Sequence, residues 1–321
     1  MLNDTQLSSE NSNFPKISIV TPSFNQSQYL EETILSVLDQ NYPNLEYIII
    51  DGGSNDGSVE IIKKYEHMLA YWVSERDQGQ TYAIQKGMAL ATGDLVNWLN
   101  SDDILLPGSL MALAIAYKTS CLEKALFCGH SRVIDQNGQL VSEHIVREFT
   151  PATKPLPNAP DIQEGAQASV FLTKKAWDSV NGIDPSLNYT MDTDLSFRCH
   201  EQGIPFIVVD HFLSAYRKHD YTKTHAGWKE STQFKHRFYF HQLEKLTANE
   251  KKIFEPRVRR MMFGFYIGSV WPTDTLMTRI EKISYAVKIF PKSLSQPYQI
   301  KRMFMALIKQ PLEEKNDHFT N

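Results

Sequence analysis

The sequence has few cysteines and lacks the motifs of several common protein classes. Its 321 residues include three cysteines, with neither a Cys-x-x-Cys pair nor a Cys/His metal spacing, which excludes a disulfide scaffold and a zinc-ribbon site. An odd number of cysteines without a secretory leader predicts a reducing cytoplasm. No apolar run reaches about 18 residues, so no membrane-spanning helix is expected. Neither a Gly-x-Gly-x-x-Gly loop nor a Gly-x-x-x-x-Gly-Lys-Ser/Thr loop occurs, which weighs against dinucleotide-binding and ATP-binding folds.

Negative charge prevails overall, but the C-terminal third of the chain is basic. Lys and Arg number 33 against 37 Asp and Glu, a net charge of −4. Residues 226–321 hold 17 basic and 9 acidic residues, whereas residues 1–225 hold 16 and 28. An acidic body without a recognition motif argues against a nucleic-acid partner. The basic segment suits either an anionic lipid surface or a solvated helix face.

Strand and helix patterns alternate from Lys16 onward, which predicts an α/β fold with a parallel sheet and helices on both faces. The alternation divides into a first half, 16–103, and a second half, 104–225. A basic helical extension, 226–321, follows. Residues 1–15 are polar and rich in Ser, Asn and Asp, so they are expected to be disordered.

The second half contains its own strand signals. Asn137-Gly138 predicts a tight hairpin turn between strands at Ala125–Ile134 and Leu140–Val146. Near the end of this half, the patterns predict two short strands, Pro205–Val209 and Phe212–Arg217.

The most acidic strand end is Asn100-Ser101-Asp102-Asp103, which follows the buried-strand pattern of Leu95–Leu99. In open α/β sheets, ligands bind beyond the carboxyl ends of the strands. Adjacent carboxylates repel each other unless a cation or a proton relieves them, and Mg²⁺ commonly joins carboxylates to substrate phosphates. The pattern therefore indicates a metal–diphosphate site. An acidic turn that caps the helix after Pro107 is the alternative explanation.

Two earlier strands end in polar segments at the same expected edge of the sheet. These are Thr21-Pro22-Ser23-Phe24-Asn25 and Asp51-Gly52-Gly53-Ser54-Asn55-Asp56-Gly57-Ser58. The glycines allow a backbone approach that side chains would block. Asp51 can accept a hydrogen bond from a nucleotide base, and Ser54 with nearby backbone N–H groups can hold ribose or phosphate. An ordinary turn is the alternative interpretation of the second segment.

In series, these motifs resemble the signatures of family 2 glycosyltransferases. The resemblance covers residues 16–225 and consists, in order, of Ile19–Asn25, Asp51–Ser58, Ser74–Gly79 with Lys86-Gly87 and Ala91–Asp94, and Leu99–Asp103, which is similar to the DXD motif of that family. It implies a GT-A fold, a Rossmann-like mixed and mainly parallel sheet, with a nucleotide-binding half at 16–103 and an acceptor half at 104–225. It also implies an inverting transferase that uses a nucleotide-sugar donor, with UDP as the expected nucleotide, and Mn²⁺ or Mg²⁺.

The resemblance also implies roles for individual residues. Asp192, within Met191-Asp192-Thr193-Asp194, is the expected general base, because a sugar hydroxyl is a poor nucleophile until a carboxylate accepts its proton. The residues expected to contact the donor are Thr21, Pro22, Asp51, Ser54 and Asp102. The residues expected to contact the metal are Asp102, Asp103 and His219. Gln167 is expected to contact the acceptor.

Structural alternatives remain for several of these residues. Asp192 and Asp194 both suit capping of the helix that follows them, and Asp194 is expected to be structural. His219 can be a structural or solvated histidine, and Gln167 can be a loop amide.

Three residues depart from the family pattern. Asn100 replaces the first Asp of the DXD motif, which puts the metal affinity in question. Tyr82 stands where related sequences often carry Asp, which weakens a sugar contact there. Met191 replaces the Glu that often precedes the base.

The basic extension alternates apolar and basic residues at 280–292 and 298–309, a composition that suits helices lying on an anionic membrane. Alternatively, its apolar faces pack on the catalytic domain or on a second subunit. Pro256, Pro272, Pro291 and Pro297 predict breaks between its helices.

Together these patterns predict a cytoplasmic, metal-dependent glycosyltransferase, peripheral at the inner face of the cell membrane, that transfers a sugar to a saccharide or lipid-linked saccharide in surface polysaccharide synthesis. The lack of spanning helices and of a Gln-x-x-Arg-Trp motif weighs against processive polymerisation. Two other hypotheses stay open. One is a nucleotidyltransferase or metal phosphohydrolase that uses the same acidic strand end. The other is a non-catalytic protein that binds sugar nucleotides.

Overall fold

The computed structural model describes residues 14–148, 162–163, 166–187, 189–219, 227–270 and 274–307. The chain divides into a first unit, 1–148 with 162–218, and a second unit, 149–161 with 219–321. Of the terminus predicted to be disordered, residues 1–13 lie outside the described residues. Its last two residues contact Tyr42: the Phe14 ring packs edge-on, and the Tyr42 hydroxyl donates to the Pro15 carbonyl at 2.7 Å.

The strands of the described residues are β1 (Ile17–Ser23), β2 (Leu45–Asp51), β3 (Tyr71–Ser74), β4 (Leu95–Trp98), β5 (Ile104–Leu105), β6 (Leu126–Ile134), β7 (Leu140–His144), β8 (Arg147–Glu148), β9 (Ile162–Gln163), β10 (Val170–Thr173) and β11 (Phe206–Arg217). The first unit is built on a mixed sheet with the strand order β3-β2-β1-β4-β10-β6-β11-β5, to which β7 adds beside β6. A separate two-stranded ribbon pairs β8 with β9.

Helices of the first unit connect and cover these strands. They are α1 (Ser27–Leu38), α2 (Ser58–Tyr65), α3 (Gln80–Leu90), α4 (Ser109–Ser120), α5 (Lys174–Ser179) and α6 (Met191–Glu201). Buried apolar residues form one core on each face of the sheet. Helix α3 lies very close to β1, because a Cβ atom added at Gly87 would stand 2.3 Å from Val20 Cγ1.

The parallel strands β1, β2, β3 and β4 arise from the predicted alternation. Strand β1 is buried along its whole length, as expected for a strand covered by helices on both faces. Its last residue, Ser23, is paired with Asp51 in β2, and Asp51 is paired with Ser74 in β3. Three strands therefore end at one edge of the sheet, and the segments that follow them begin side by side.

The second half of the sheet confirms the hairpin and corrects one strand prediction. Strands β6 and β7 pair antiparallel around Asn137-Gly138, and Gly138 has a φ of 79°. The two strands predicted at Pro205–Val209 and Phe212–Arg217 are one strand, β11. Its register with β6 shifts on either side of Phe212, and Asp210-His211 form an irregularity across which the strand continues.

The second unit is helical over its described residues. Its helices are α7 (Trp228–Glu244), α8 (Ala248–Gly268), α9 (Leu276–Ile289) and α10 (Pro297–Leu307), with a short 3₁₀ turn at Pro291–Ser295. Pro256 lies inside α8 and does not end it, which corrects the sequence prediction. The breaks at Pro291 and Pro297 are confirmed, because α9 ends just before Pro291 and α10 begins at Pro297; Pro272 lies outside the described residues. None of the described helices combines the length and apolarity needed to cross a bilayer.

Candidate active site

The loops after β1 and β2 are joined to each other by hydrogen bonds. The backbone N–H of Asn25 donates to Ser54 Oγ at 2.8 Å, and the N–H of Asn55 donates to Asn25 Oδ1 at 3.0 Å. Asn25 has a φ of 49°, a left-handed conformation that Asn tolerates better than most residues. The first two motifs of the sequence, Thr21–Asn25 and Asp51–Ser58, therefore form one surface.

Asp56 links the N-termini of two helices within this surface. Its Oδ2 accepts from the N–H of Ser27 at 2.9 Å, at the start of α1. Its Oδ1 accepts from the N–H and the hydroxyl of Ser58, at the start of α2. Burial by itself would raise the pKa of Asp56, but these hydrogen bonds outweigh it and hold the pKa at about 2. The carboxylate therefore stays ionised and fixes both helix starts.

Asp51, the predicted contact for the nucleotide base, is fully buried and organises its own loop. Its Oδ2 accepts from the N–H groups of Gly53 and Ser54 and from the Ser74 hydroxyl, at 3.1, 2.9 and 2.6 Å. Its Oδ1 accepts from the Ser54 hydroxyl at 2.5 Å. These four bonds hold the β2–α2 loop and the end of β3 together. The base contact of Asp51 stays a prediction.

The adjacent glycines bring a third motif onto this loop. A Cβ atom at Gly52 would lie 3.2 Å from Asp77 Oδ1, and one at Gly53 would lie 3.2 Å from the backbone nitrogen of Arg76. Gly53 also has a φ of 82°, which L side chains rarely adopt. The sequence analysis expected the glycines to let a ligand approach the backbone. In the structure, the β3–α3 loop occupies part of that space.

At the end of β4, the two carboxylates of the acidic motif have different surroundings. Asp103 is buried: its Oδ1 accepts from the N–H of Arg217 at 2.9 Å, and its Oδ2 from Asn100 Nδ2 at 3.1 Å. Burial, and secondly the charge of Asp102, raises the pKa of Asp103 well above its ordinary value. Both Asp103 oxygens thus have protein donors, and its metal contact stays a prediction. Asp102 is half-buried and keeps access to solvent.

Arg217, which the sequence analysis gave no site function, anchors the turn that carries Asp102. Its Nε donates to the Asp102 carbonyl at 3.0 Å, and its Nη2 pairs with Glu32 Oε2 at 2.6 Å. The guanidinium also lies over the Tyr29 ring, with Cζ 4.8 Å from the centroid. Its side chain is only 2% exposed, so this positive charge sits beneath the acidic turn. The sequence signal that could have indicated this role is an Arg at the end of a predicted strand, 115 residues after Asp102.

The predicted base, Asp192, lies in the first turn of α6. Its Oδ1 accepts from the N–H of Thr193 at 2.7 Å, and the residue is half-buried. Asp194 instead forms an ion pair with Arg198 one turn later, at 2.7 Å, which is the structural role expected for it.

Contacts at the start of α3 connect the start of α6 to the end of β4. The buried Met191 accepts a hydrogen bond from the Thr81 hydroxyl through its sulfur, at 3.6 Å. The neighbouring Gln80 donates from Nε2 to Asn100 Oδ1 at 2.8 Å. Two of the three departures from the family pattern, Met191 and Asn100, are therefore packing residues that hold these elements together. The structure brings the segments of Asp102 and Asp192 to one edge of the first unit.

Gln167, the predicted acceptor contact, is fixed against the same strand. Its Nε2 donates to Asn97 Oδ1 at 3.0 Å and to the Trp98 carbonyl at 2.8 Å. Its Oε1 is buried and has no hydrogen-bond partner among the described residues. The amide is thus oriented by its two donated bonds, and its contact with the acceptor stays a prediction.

The remaining predicted residues are buried. The Thr21 hydroxyl forms a hydrogen bond with the Tyr47 hydroxyl at 3.0 Å, and Pro22 follows it within β1. His219 lies two residues after the end of β11 and belongs to the second unit. The donor contacts of Thr21 and Pro22 and the metal contact of His219 stay predictions.

The donor set at this edge fits a hard cation that shares its ligands with a substrate. Across the part of the chain that the structure describes, no cluster of three or more His, Cys, Asp or Glu side chains could enclose a metal. Mg²⁺ and similar ions, however, usually take one or two carboxylates and complete their shell with phosphate oxygens and water. Asp102, half-buried beside the carboxyl group of Asp103, suits that arrangement.

Sequence comparisons identify a family and several relatives that this chain resembles. The sequence model of the family described as "Glycosyl transferase family 2" matches residues 18–162. An uncharacterised glycosyltransferase of Nostoc is 27% identical over 165 residues, which are 50% of this chain and 47% of that protein. A putative teichuronic acid biosynthesis glycosyltransferase of Bacillus subtilis, TuaG, is 39% identical over 92 residues, 28% of this chain and 36% of its own. The chain therefore spans less than half of these two relatives.

Two solved structures share the fold over nearly the whole chain. TarS 1-349 of S. aureus, solved with UDP-GlcNAc, is 13% identical with a TM-score of 0.59 and covers 92% of this chain and 89% of its own. The mannosyltransferase PcManGT of Pyrobaculum calidifontis, solved with GDP-Man and Mn²⁺, is 14% identical with a TM-score of 0.53, covering 95% and 89%. The mixed sheet with flanking helices is thus a GT-A-like fold, as the sequence predicts. Residues 18–162, which carry these motifs on one sheet edge, match glycosyl transferase family 2.

Proposed function

We propose that this protein transfers a sugar from a nucleoside-diphosphate donor to a saccharide or lipid-linked saccharide, with inversion, in the synthesis of a surface polysaccharide. One observation carries the proposal. The loops after β1, β2 and β3 are hydrogen-bonded or packed together, and the side chains at the start of α3 connect α6 to the end of β4. A donor bound at this edge would lie between the segments of Asp102 and Asp192.

The proposed donor is a UDP-sugar, and the proposed ion is Mn²⁺ or Mg²⁺. Support comes from the similar structures, which were solved with UDP-GlcNAc and with GDP-Man and Mn²⁺. The teichuronic acid relative supports a surface polymer as the product. Since the two structures contain different nucleotides, UDP requires a direct test.

Asp102 is the residue proposed to hold the ion and the diphosphate, with Asp103 behind it. Arg217 and Asn100 position the turn through the bonds described above. The loop of Asp51 and Ser54, with Thr21 and Pro22 beside it, would receive the nucleotide. A bound Mn²⁺ or Mg²⁺ would offset the negative charge of the diphosphate.

Asp192 is the residue proposed to accept the proton of the attacking hydroxyl. Its Oδ1 is held by the Thr193 N–H, so Oδ2 is the oxygen that would take the proton. Gln167 would accept a hydrogen bond from an acceptor hydroxyl through Oε1, which its two donated bonds orient. Attack on the anomeric carbon from the face opposite the diphosphate inverts that centre.

The test is a panel of UDP-, GDP- and dTDP-sugars with Mn²⁺, read as thermal stabilisation and as slow donor hydrolysis. The correct donor should stabilise the protein most, because it binds only the folded state. Release of the nucleoside diphosphate with a free sugar supports the proposal. Release of a nucleoside monophosphate or of inorganic phosphate would instead identify a nucleotidyltransferase or a phosphohydrolase.

A matched pair of variants then tests the base. Asp192→Asn should bind the donor as the wild type does but lower kcat for transfer by roughly a hundredfold or more, the usual range for loss of a general base. Asp194→Asn, in the same helical turn, breaks only the pair with Arg198 and should keep kcat. Full transfer by Asp192→Asn would reject the assignment, and donor binding without turnover in the wild type would favour a binding protein.

A further inference from the structure

The inner face of α9 carries charge. Arg279 and Lys282 are 1% and 0% exposed. Lys282 Nζ pairs with Asp274 Oδ2 at 2.7 Å and lies over the Trp228 ring, 4.7 Å from the centroid. Arg279 donates from Nε to the Asp274 carbonyl at 2.9 Å and from Nη1 to the Ala306 carbonyl in α10 at 3.1 Å. This face is therefore buried and its cations are paired.

The outer face of the same helix is apolar. Leu276, Met277 and Ile280 are 58%, 74% and 45% exposed. A helix on the surface of a soluble protein usually buries its apolar side and exposes its charges. The first half of α9 reverses that arrangement, whereas its second half buries the apolar residues Ala286 and Ile289.

Helix α10, which Arg279 ties to α9, also exposes large apolar side chains. Ile300 and Phe304 are one turn apart and are 45% and 59% exposed, whereas Met303 and Ala306 face the interior. In the 3₁₀ turn between the two helices, Leu294 is 59% exposed. Adjacent elements thus leave several apolar side chains in water, which is unusual outside interaction sites.

The charges that accompany these side chains are positive. From 275 to 307, the only acidic residue in the sequence is Glu281, and it pairs with Lys229 at 3.1 Å. Lys288, Lys292 and Lys301 are all exposed in the same span. Exposed apolar side chains lie among lysines, and few carboxylates are present to offset the positive charge. This combination complements a surface with anionic groups outside and apolar groups beneath them.

We propose that the outer sides of α9, the 3₁₀ turn and α10, here called the apolar-basic surface, bind an anionic lipid bilayer. Binding is peripheral: Ile300 and Phe304 enter the boundary between headgroups and acyl chains, and the lysines contact anionic headgroups. The proposal rests on the second unit alone and does not depend on the transferase reaction. It would, in addition, bring the enzyme to a lipid-linked acceptor.

The test is co-sedimentation of the full chain with vesicles of phosphatidylcholine, with and without about a third of phosphatidylglycerol. The wild type should bind the anionic vesicles, and added salt should weaken that binding because it screens the lysines. Ile300→Ser with Phe304→Ser should lower the affinity by roughly tenfold or more. Replacing Lys288, Lys292 and Lys301 by Gln should lower it by roughly a hundredfold.

The chain provides a matched control in β7 of the first unit. Leu140 and Val141 are 57% and 59% exposed, so Leu140→Ser with Val141→Ser removes a similar amount of apolar surface elsewhere. This variant should bind vesicles as the wild type does. Equal loss in both double variants would indicate non-specific adsorption and overturn the proposal.

A second copy of the chain is the competing occupant of the surface. Light scattering at micromolar protein identifies it directly. A dimer that Ile300→Ser with Phe304→Ser dissociates, together with no vesicle binding by the wild type, would overturn the lipid proposal. The donor-binding assay is unaffected by either result, so failure here is distinct from failure of the proposed reaction.

Discussion

Replacing Glu46 by Gln should destabilise the protein by about 3 kcal/mol at neutral pH. Glu46 lies at the amino end of β2, opposite the candidate site, and is 8% exposed. Its carboxylate accepts from the Ser18 hydroxyl at 2.6 Å and from the N–H and hydroxyl of Thr92 at 2.7 Å each, and pairs with Lys16 at 2.5 Å. Gln keeps the size of the side chain but removes the charge and places an NH₂ group among these donors.

The magnitude follows from the pKa of Glu46. Burial by itself would raise that pKa, but the pair with Lys16 and the bonds from Ser18 and Thr92 outweigh it and lower it from 4.5 to about 2. A pKa gap of this size corresponds to about 3 kcal/mol of folding free energy. Because the folded pKa is the lower one, this stabilisation is fully present above about pH 4.5 and is lost as the pH falls through about 2.

The assay is urea unfolding of the wild type and the variant from pH 7 down to pH 3. The difference in unfolding free energy should be large at pH 7 and should shrink steadily below about pH 4.5. Glu123→Gln is the matched control, since Glu123 forms an exposed pair with Lys175 at 2.9 Å and should show little change. A difference below about 1 kcal/mol at pH 7, or one that does not vary with pH, would refute the reasoning.

Two further predictions concern the packing of each unit. In the second unit, Asp274→Asn should cost about 3–5 kcal/mol of unfolding free energy, since it leaves the buried Lys282 charge uncompensated, and a second change, Lys282→Met, should recover much of it. Urea midpoints check both, and equal stability of the single variant and the wild type would contradict the buried pair. In the first unit, Gly87→Ala should destabilise by about 1–3 kcal/mol although Ala favours helices, because its Cβ would meet Val20 Cγ1 at 2.3 Å. A gain in melting temperature would show that α3 is free to move away from β1.

Much of the first unit could be predicted because its signals are local. The apolar runs of β1 and β2 are long enough to be buried on both faces, and Asn137-Gly138 specifies its hairpin without help from the rest of the chain. The GT-A fold followed from motifs in order, and the comparisons confirm it. By contrast, the insertion of β10 antiparallel between β4 and β6 depends on partners far apart in sequence, which periodicity does not report.

In the candidate site, too, some features follow from local sequence signals and others depend on contacts between distant residues. The sequence predicts that Asp51 and Asp102 lie at the same edge of the sheet, because parallel strands align their carboxyl ends. The inward orientation of Asp103 could not, since it depends on the N–H of Arg217 at the far end of β11. Likewise, Asn100 and Met191 looked like departures that weaken the site, but their contacts with Gln80 and Thr81 exist only once α3 is in place.

The most direct test of the account is a calorimetric titration of UDP into the protein with Mn²⁺ present. The wild type should bind UDP, and Asp102→Asn should weaken binding by at least roughly tenfold, the loss expected when a metal contact is removed. The matched control is Asp94→Asn at the opposite end of β4, where the carboxylate accepts from the Lys16 N–H at 2.8 Å, and it should bind UDP normally. Unchanged affinity in Asp102→Asn, or no binding of any nucleoside diphosphate by the wild type, would contradict the assignment of this sheet edge as the donor site.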